Sequence, residues 1–409
     1  MNISTLKWLR ILLIAVIAAF IAAGIYAAYQ RSKNVPIIFA PKDVLETVWI
    51  NYKKSYVDPA SGRTVDPSRG GVTTSEGESY TMLRAVWLDD HQTFDASWKW
   101  TQANLEFKNG HLFSWLYGRR PDGTYGILTA QNGQNSASDA DTDIAVALLF
   151  AFARWRDPSY LAAAKSTIAD IWSNEVIIVQ GKPYLAADNV EKNFTGGIVV
   201  NPSYLAPYAY RMFATVDPGH DWNGLVDTSY SVLKQSIDLP LDKKKSVDLP
   251  PDWVEVSRTD GSVHPPARSG PQGSLDTNYG FDALRVPWRL YLDWQWYHDA
   301  RAYTLLSGMK YLQSFWEHAG LLNETYAHDG SVVPPSGESP AMYGGTIGTM
   351  MIMSPSDAKA MYDHKLIALY TPDYDAWVQP LSYYDDNWAW FGIALYNGLL
   401  PNLWATVTG

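Results

Sequence analysis

The chain has 409 residues, a formal net charge of -10, only 18% charged residues and no cysteine. A diffuse negative charge with no basic stripe excludes nucleic acid as a partner. The lack of cysteine excludes disulfides, zinc–thiolate sites and a cysteine nucleophile. The informative figure is the aromatic content, 14%, with 18 Trp and 26 Tyr. Much of it must be core, since aromatic side chains bury large areas. Trp and Tyr with few charges are also what a groove for sugar rings needs, offering flat apolar faces and polar edges.

The first element is an uncharged apolar run from Ile11 to Ala28, preceded by Lys7 and Arg10. It is long enough to cross a bilayer and longer than a signal-peptide core of about 7 to 15 residues. The sequence therefore predicts a cytoplasmic stub and membrane anchor (or uncleaved signal) over 1–34, a tether over 35–41 and an outward-facing body over 42–409. The small-residue triplet Ala22-Ala23-Gly24 offers the alternative, a signal removed after Gly24.

From Lys42 the pattern is helical, punctuated by Pro and Gly loops. Helices are predicted over 43–56 (Val44, Val48 and Tyr52 on one face), 78–89, 93–107, 138–155, 158–172, 202–214, 225–237, 283–296, 300–318, 354–369 and 387–398. Strand signals are short, as at Ile177 to Val179. No composition shift divides the body and no repeat of 20 to 50 residues is written in it. The expectation is one large all-α domain of helical hairpins, with loops of one end over a central aromatic-lined cleft. The longest irregular segment, 239–278, delivers the chain to Asp282.

Two stretches carry chemistry. ASDADTDIAVALLFAFARW (137–155) crowds Asp139, Asp141 and Asp143 into the mouth of a helix that is apolar nearly all round. Such a helix is buried, and acids at its entrance are costly unless hydrogen-bonded or useful. An EF-hand loop would need glycine and glutamate where Ile144 and Phe150 stand, which disfavours calcium. Capping of the helix accounts for at least one of the three acids. The second stretch is TTSEGESYTMLRAVWLDD (73–90), where Glu76 precedes Gly77, a residue that lets a ligand approach the backbone; capping is the competing role for Glu76.

In combination these segments resemble glycoside hydrolase family 8. The resemblance rests on SEGESYTMLRAVWLDDHQTFDASWKWTQANL, HLFSWLYG, ASDADTDIAVALLFAFARW, NPSYLAPYAYRMFA, LPPDWV and YGFDALRVPWRL, in that order. It implies an (α/α)6 barrel and inverting hydrolysis of a β-1,4-linked polysaccharide, without cofactor. By the same resemblance Glu76 is the general acid, Asp282 in Y-x-x-D-A-x-R-V the general base, and Asp139 the residue that holds the sugar at the cleavage point. Trp115 and Tyr204 lie in matching segments as substrate-binding candidates. Ser79 and Thr81 replace two glycines that many members carry, which is expected to stiffen the turn and reshape nearby subsites.

The chemistry agrees. An inverting pair stands about 6.5 to 9.5 Å apart to admit a water, and the acid needs a raised pKa, from apolar walls or a nearby carboxylate such as Asp139. Arg285, one turn after Asp282, is placed to keep the base ionised and to touch substrate. Asp141 and Asp143 are assigned to structure. No H-x-x-x-H or H-E-x-x-H spacing occurs, so no metal is assigned. The resulting expectation is a membrane-anchored extracellular endo-β-1,4-glycanase acting on an exopolysaccharide or cellulose-like glycan. The alternative is an inactive polysaccharide-binding scaffold of an exopolysaccharide synthesis and export assembly. Retention of both Glu76 and Asp282 favours the enzyme.

Overall fold

The computed structural model describes residues 40–267, 269–270 and 273–408. The chain divides into Met1–Asp43 and Val44–Gly409, and every residue of the candidate site lies in the second unit. The anchor expected at 1–34 and most of the tether expected at 35–41 fall outside the described residues. Among the described residues no helix is long and apolar enough to cross a membrane.

The helices alternate between an outer and an inner ring. The outer ring holds α1 (Pro41–Tyr56), α3 (His91–Asn104), α5 (Pro158–Glu175), α7 (Trp222–Asp238), α9 (Ala300–Gly308) with α10 (Lys310–Ala319), and α12 (Pro355–Met361). The inner ring holds α2 (Ser75–Trp87), α4 (Ser138–Trp155), α6 (Pro207–Val216), α8 (Arg285–Tyr297), α11 (Pro340–Met353) and α13 (Tyr383–Tyr396). Inner neighbours pack in chain order. The ring closes where Arg84 of α2 meets Asp386 and Asn387 of α13, both at 3.0 Å, and where Tyr80 packs edge-on against Phe391. Because each inner helix returns through an outer one, all inner N-termini face one end. That end gathers unpaired N–H groups and positive dipole ends, an environment suited to acids.

Short antiparallel sheets cover the same end. β1 (Thr73–Thr74) pairs with β2 (Leu116–Arg119), which pairs with β3 (Tyr125–Ile127). The expected strand at 177–179 forms β4 (Val176–Val179), a hairpin with β5 (Lys182–Leu185). The irregular 239–278 segment is anchored by β7 (Val254–Val256), which lies between β6 (Ile198–Val200) and β8 (Val263–His264).

Three predicted helices are shorter or broken. The run at 202–214 splits into a 3-10 turn, Pro202–Tyr204, and α6, because Pro207 cannot continue a helix from the residues before it. The run at 300–318 breaks at Met309. The run at 354–369 ends as regular α-helix at Met361 and continues as a wide turn over Tyr362–Leu366.

One inner helix, α11, has no counterpart among the predicted elements. Its sequence, PAMYGGTIGTMMIM, is apolar all round and carries three glycines, so it shows neither helical period nor helical propensity. The glycines serve packing. A Cβ on Gly344 would sit 1.9 Å from the Trp388 carbonyl oxygen, and one on Gly392 would sit 2.4 Å from the Gly344 Cα. Helices α11 and α13 therefore meet backbone to backbone. Gly392→Ala is expected to cost at least about 1–3 kcal/mol, as overpacking does, seen as a lower urea midpoint with unchanged slope. An unchanged midpoint would show that this seam can open freely.

Candidate active site

Glu76 sits in the first turn of α2, whose entry is fixed twice: β1 pairs with β2, and the Thr74 hydroxyl accepts from Gly77 N at 3.0 Å. Asp139 is the second residue of α4. Asp282 lies within the turn that leads into α8, and Arg285 is that helix's first residue. These four residues, far apart in sequence, meet through one guanidinium. Arg285 Nη1 donates to Glu76 Oε2 at 2.7 Å and to Asp139 Oδ2 at 2.8 Å. Nη2 donates to the Asp282 carboxylate, and Nε to its backbone carbonyl at 3.2 Å. The expected partnership of Arg285 with Asp282 is therefore present but is one of three.

Exposure separates the roles these carboxylates can take. The Glu76 and Asp282 side chains are 26% and 33% exposed, whereas Asp139 and Arg285 are 3% and 1% exposed. Glu76 and Asp282 thus reach solvent on either side of the cation. Asp139 lies beneath, with Oδ1 buried and without a hydrogen-bond partner.

One cation facing three carboxylates, one buried and two partly so, leaves a surplus of negative charge, so the cluster binds protons more tightly than free acids do. Burial pushes the Glu76 carboxyl up to about 7 against the pull of Arg285, and the charges of Asp139 and Asp282 add to the rise. Burial also raises Asp139 and Asp282, again opposed chiefly by Arg285. Asp282 has two further stabilising neighbours, the side chains of Asn201 and Trp253.

A second rung lies one turn deeper. Arg289 donates to both oxygens of Asp143 at 2.8 Å and to the Tyr208 hydroxyl at 2.8 Å. Arg285–Asp139 and Arg289–Asp143 thus form an i, i+4 ladder between α8 and α4, and Asp143 is structural as the sequence suggested. Asp141 points away from the ladder. It accepts from Phe113 N at 2.9 Å and shares a hydrogen bond with buried Glu175, and burial raises both carboxyls well above their usual range. That pair therefore holds a proton and ties the segment before Trp115 to α5.

The Trp115 ring is half-buried, its Nε1 donating to Asn132 O at 3.0 Å. Tyr204 lies beside the acids, its ring 5.2 Å from the Arg285 guanidinium and edge-on to Trp253. Two expectations are corrected. Gly77 makes room not for a ligand but for Tyr383, whose hydroxyl would lie 2.5 Å from a Cβ there. Ser79 and Thr81 sit inside α2 rather than in a turn and are fully buried. The Ser79 hydroxyl donates to Glu76 O, and Thr81 meets the hydroxyls of Tyr52 and Thr64, so neither residue can line a subsite.

The sequence reading assigned no role to Asp252, Asn201 or Trp253. Asp252 and Trp253 belong to LPPDWV and Asn201 to NPSY. Asp252 meets the Asp282 turn across 28 to 31 residues, which leaves no local periodicity to detect.

Two partly exposed carboxylates on one guanidinium, the first holding its proton near neutral pH, are suited to an inverting glycoside hydrolase. A family model, glycosyl hydrolases family 8, matches residues 17–367. The chain belongs to that family, and it is a glycoside hydrolase of the inverting type. An endoglucanase of Cellulomonas uda is 32% identical over 264 residues, 64% of this chain and 67% of that protein. Endoglucanase 2 of Ruminiclostridium josui is 28% identical over 320 residues, 76% of this chain and 62% of that protein; the match thus spans about two thirds of the relatives' length. The crystal structure of an endo-1,4-D-glucanase from Vibrio fischeri superposes with a TM-score of 0.70 at 25% identity, covering 85% of this chain and 94% of that one. This agrees with the expected (α/α)6 barrel.

A general acid works only while protonated. If Glu76, pushed up to about 7, is that acid, kcat/KM is expected to fall as pH rises through about 7, the alkaline limb reporting this group in the free enzyme. Arg285→Lys, which replaces a fork by a point charge, is expected to move that limb upward, because Arg285 is what holds the Glu76 pKa down. A pH–rate series on both proteins checks this; a limb that stays put in the variant contradicts it.

Proposed function

We propose that this protein is a membrane-anchored, outward-facing endo-β-1,4-glucanase that cuts a cellulose-like glycan or secreted exopolysaccharide by single displacement. The observation that carries the reading is the shared guanidinium, with Glu76 and Asp282 open to solvent on its two sides. In this reading Glu76 gives its proton to the glycosidic oxygen as the bond to the anomeric carbon breaks. Asp282 takes a proton from water, which attacks the opposite face of the ring. Asp139 helps keep the acid protonated through the charge it adds, and it holds the sugar once substrate displaces the present contacts. Trp115 and Tyr204 are the ring-stacking candidates.

The names of the relatives, endoglucanases and an endo-1,4-D-glucanase, support a 1,4-linked glucan as substrate. The apolar run from Ile11 to Ala28 supports the anchor and the outward orientation. An enzyme tethered at the surface suits a polymer that its own cell secretes, which makes an exopolysaccharide synthesis machinery a natural partner. Glu76→Gln keeps the side chain's shape but supplies no acidic proton. It is expected to lower kcat on carboxymethyl cellulose by at least about a thousandfold, the upper part of the range for acid–base groups, while binding of the polymer in affinity electrophoresis stays close to wild type. Normal turnover by that variant would remove Glu76 from the mechanism.

A further inference from the structure

The N-terminus of α8 is unusual in what it must hold. It carries both the base candidate, Asp282, and the hub, Arg285, yet its own cap residue, Leu284, supplies no side-chain hydrogen bond. The first N–H groups of a helix need acceptors from elsewhere. Those of Arg285 and Val286 bond back to the carbonyls of Asp282 and Ala283 at 3.1 and 3.0 Å, and the turn that supplies these carbonyls is held by a residue 30 positions before Asp282. Asp252 Oδ1 accepts from Gly280 N at 3.2 Å, Asp282 N at 3.1 Å and Ala283 N at 2.6 Å.

The backbone around Asp252 is itself tied to the same turn. Asp252 N donates to Asn278 O at 2.6 Å, and Trp253 N to Asp276 O at 3.0 Å. The approach is close enough that a Cβ on Gly280 would meet Asp252 Oδ2 at 2.6 Å. The other member of the dipeptide, Trp253, favours the charged form of the Asp282 carboxyl, as does Asn201. Asn201 Nδ2 is buried near the same carboxylate and has no hydrogen-bond partner of its own. Its Oδ1 is occupied by the backbone N–H and hydroxyl of Ser203, at 3.0 and 2.7 Å, which turns Nδ2 away from Ser203.

We propose that Asp252 is the positioning residue for the base: by holding the 280–283 turn that leads into α8, its carboxyl sets where Asp282 and Arg285 stand. This rests on the reading of Asp282 as the base. Asp252 touches no reacting atom, and its contribution is to placement. Burial pushes the Asp252 carboxyl well above the usual carboxylate range, so asparagine, neutral and with the same acceptor oxygen, is its near-isostere.

The test compares Asp252→Ala, Asp252→Asn and Asp282→Asn with the wild type on a soluble β-1,4-glucan, with folding checked by circular dichroism and thermal melting. Asp252→Ala is expected to lose roughly a hundredfold in kcat, the scale of an ångström-level misplacement, with KM within about threefold. Asp252→Asn is expected to keep kcat within about threefold of wild type. Should the alanine variant fail to fold, Asp252→Ser takes its place, since a single short hydroxyl cannot serve three amides. A folded alanine variant with wild-type kcat overturns the proposal, as does an asparagine variant as slow as the alanine one. An active Asp282→Asn would instead overturn the assignment of the base, so the two failures are distinguishable.

Discussion

The structure depends on how one arginine is shared. Arg285 is almost wholly buried and donates to three carboxylates that come from three different inner helices or their approaches. Arginine suits this position because its planar fork offers several donors in fixed directions and it does not lose its proton. A buried charge left without partners is expensive, and a buried carboxylate without a cation is no cheaper. The cluster is therefore over-supplied with acid by design of its charge count. It lowers that cost by keeping a proton, and the proton is what a general acid needs. On the proposed reading of Glu76 as that acid, structural electrostatics and catalysis make the same demand.

The barrel supplies this cluster through its direction and its stitching. Because every inner helix runs the same way, first turns and their N–H groups converge at one end, where acids are favoured. Buried pairs then fix the helices against each other: Arg84 to Asp386 across the closing seam, and Arg285 and Arg289 to Asp139 and Asp143 along the α8–α4 ladder. Such pairs add little net stability relative to apolar packing, but they penalise any slip of one helix along its neighbour. A slip of one turn would pair Arg289 with Asp139 and strand Arg285 among Glu76 and Asp282. The glycine seam between α11 and α13 complements this, since it tolerates no added side-chain atom.

Much of this was legible in the sequence, for identifiable reasons. Helix α4 was visible because its apolar residues run almost unbroken behind three acids, and Glu76, Asp139 and Asp282 were visible because they sit in segments with a family pattern. What escaped was long-range or non-periodic. Helix α11 hides behind glycines selected for close packing rather than for helical propensity. Asp252 serves a turn far along the chain, and no local spacing marks it. Gly77 and Thr81 were read as features of a cleft because a linear sequence does not say which side of a helix faces Tyr383, Tyr52 or Thr64. The central role of Arg285 was only half legible: its i, i+3 relation to Asp282 is local, but its bonds to Glu76 and Asp139 exist only in the folded ring.

The central claim is that Glu76 and Asp282 act on opposite faces of one sugar ring, with water as the only nucleophile. Following the first products of β-1,4-glucan cleavage by proton NMR, before mutarotation, tests it directly. The account requires the new reducing ends to appear first as the α-anomer. Initial release of the β-anomer would mean a covalent intermediate, and the arrangement around Arg285 would then have to be doing different chemistry.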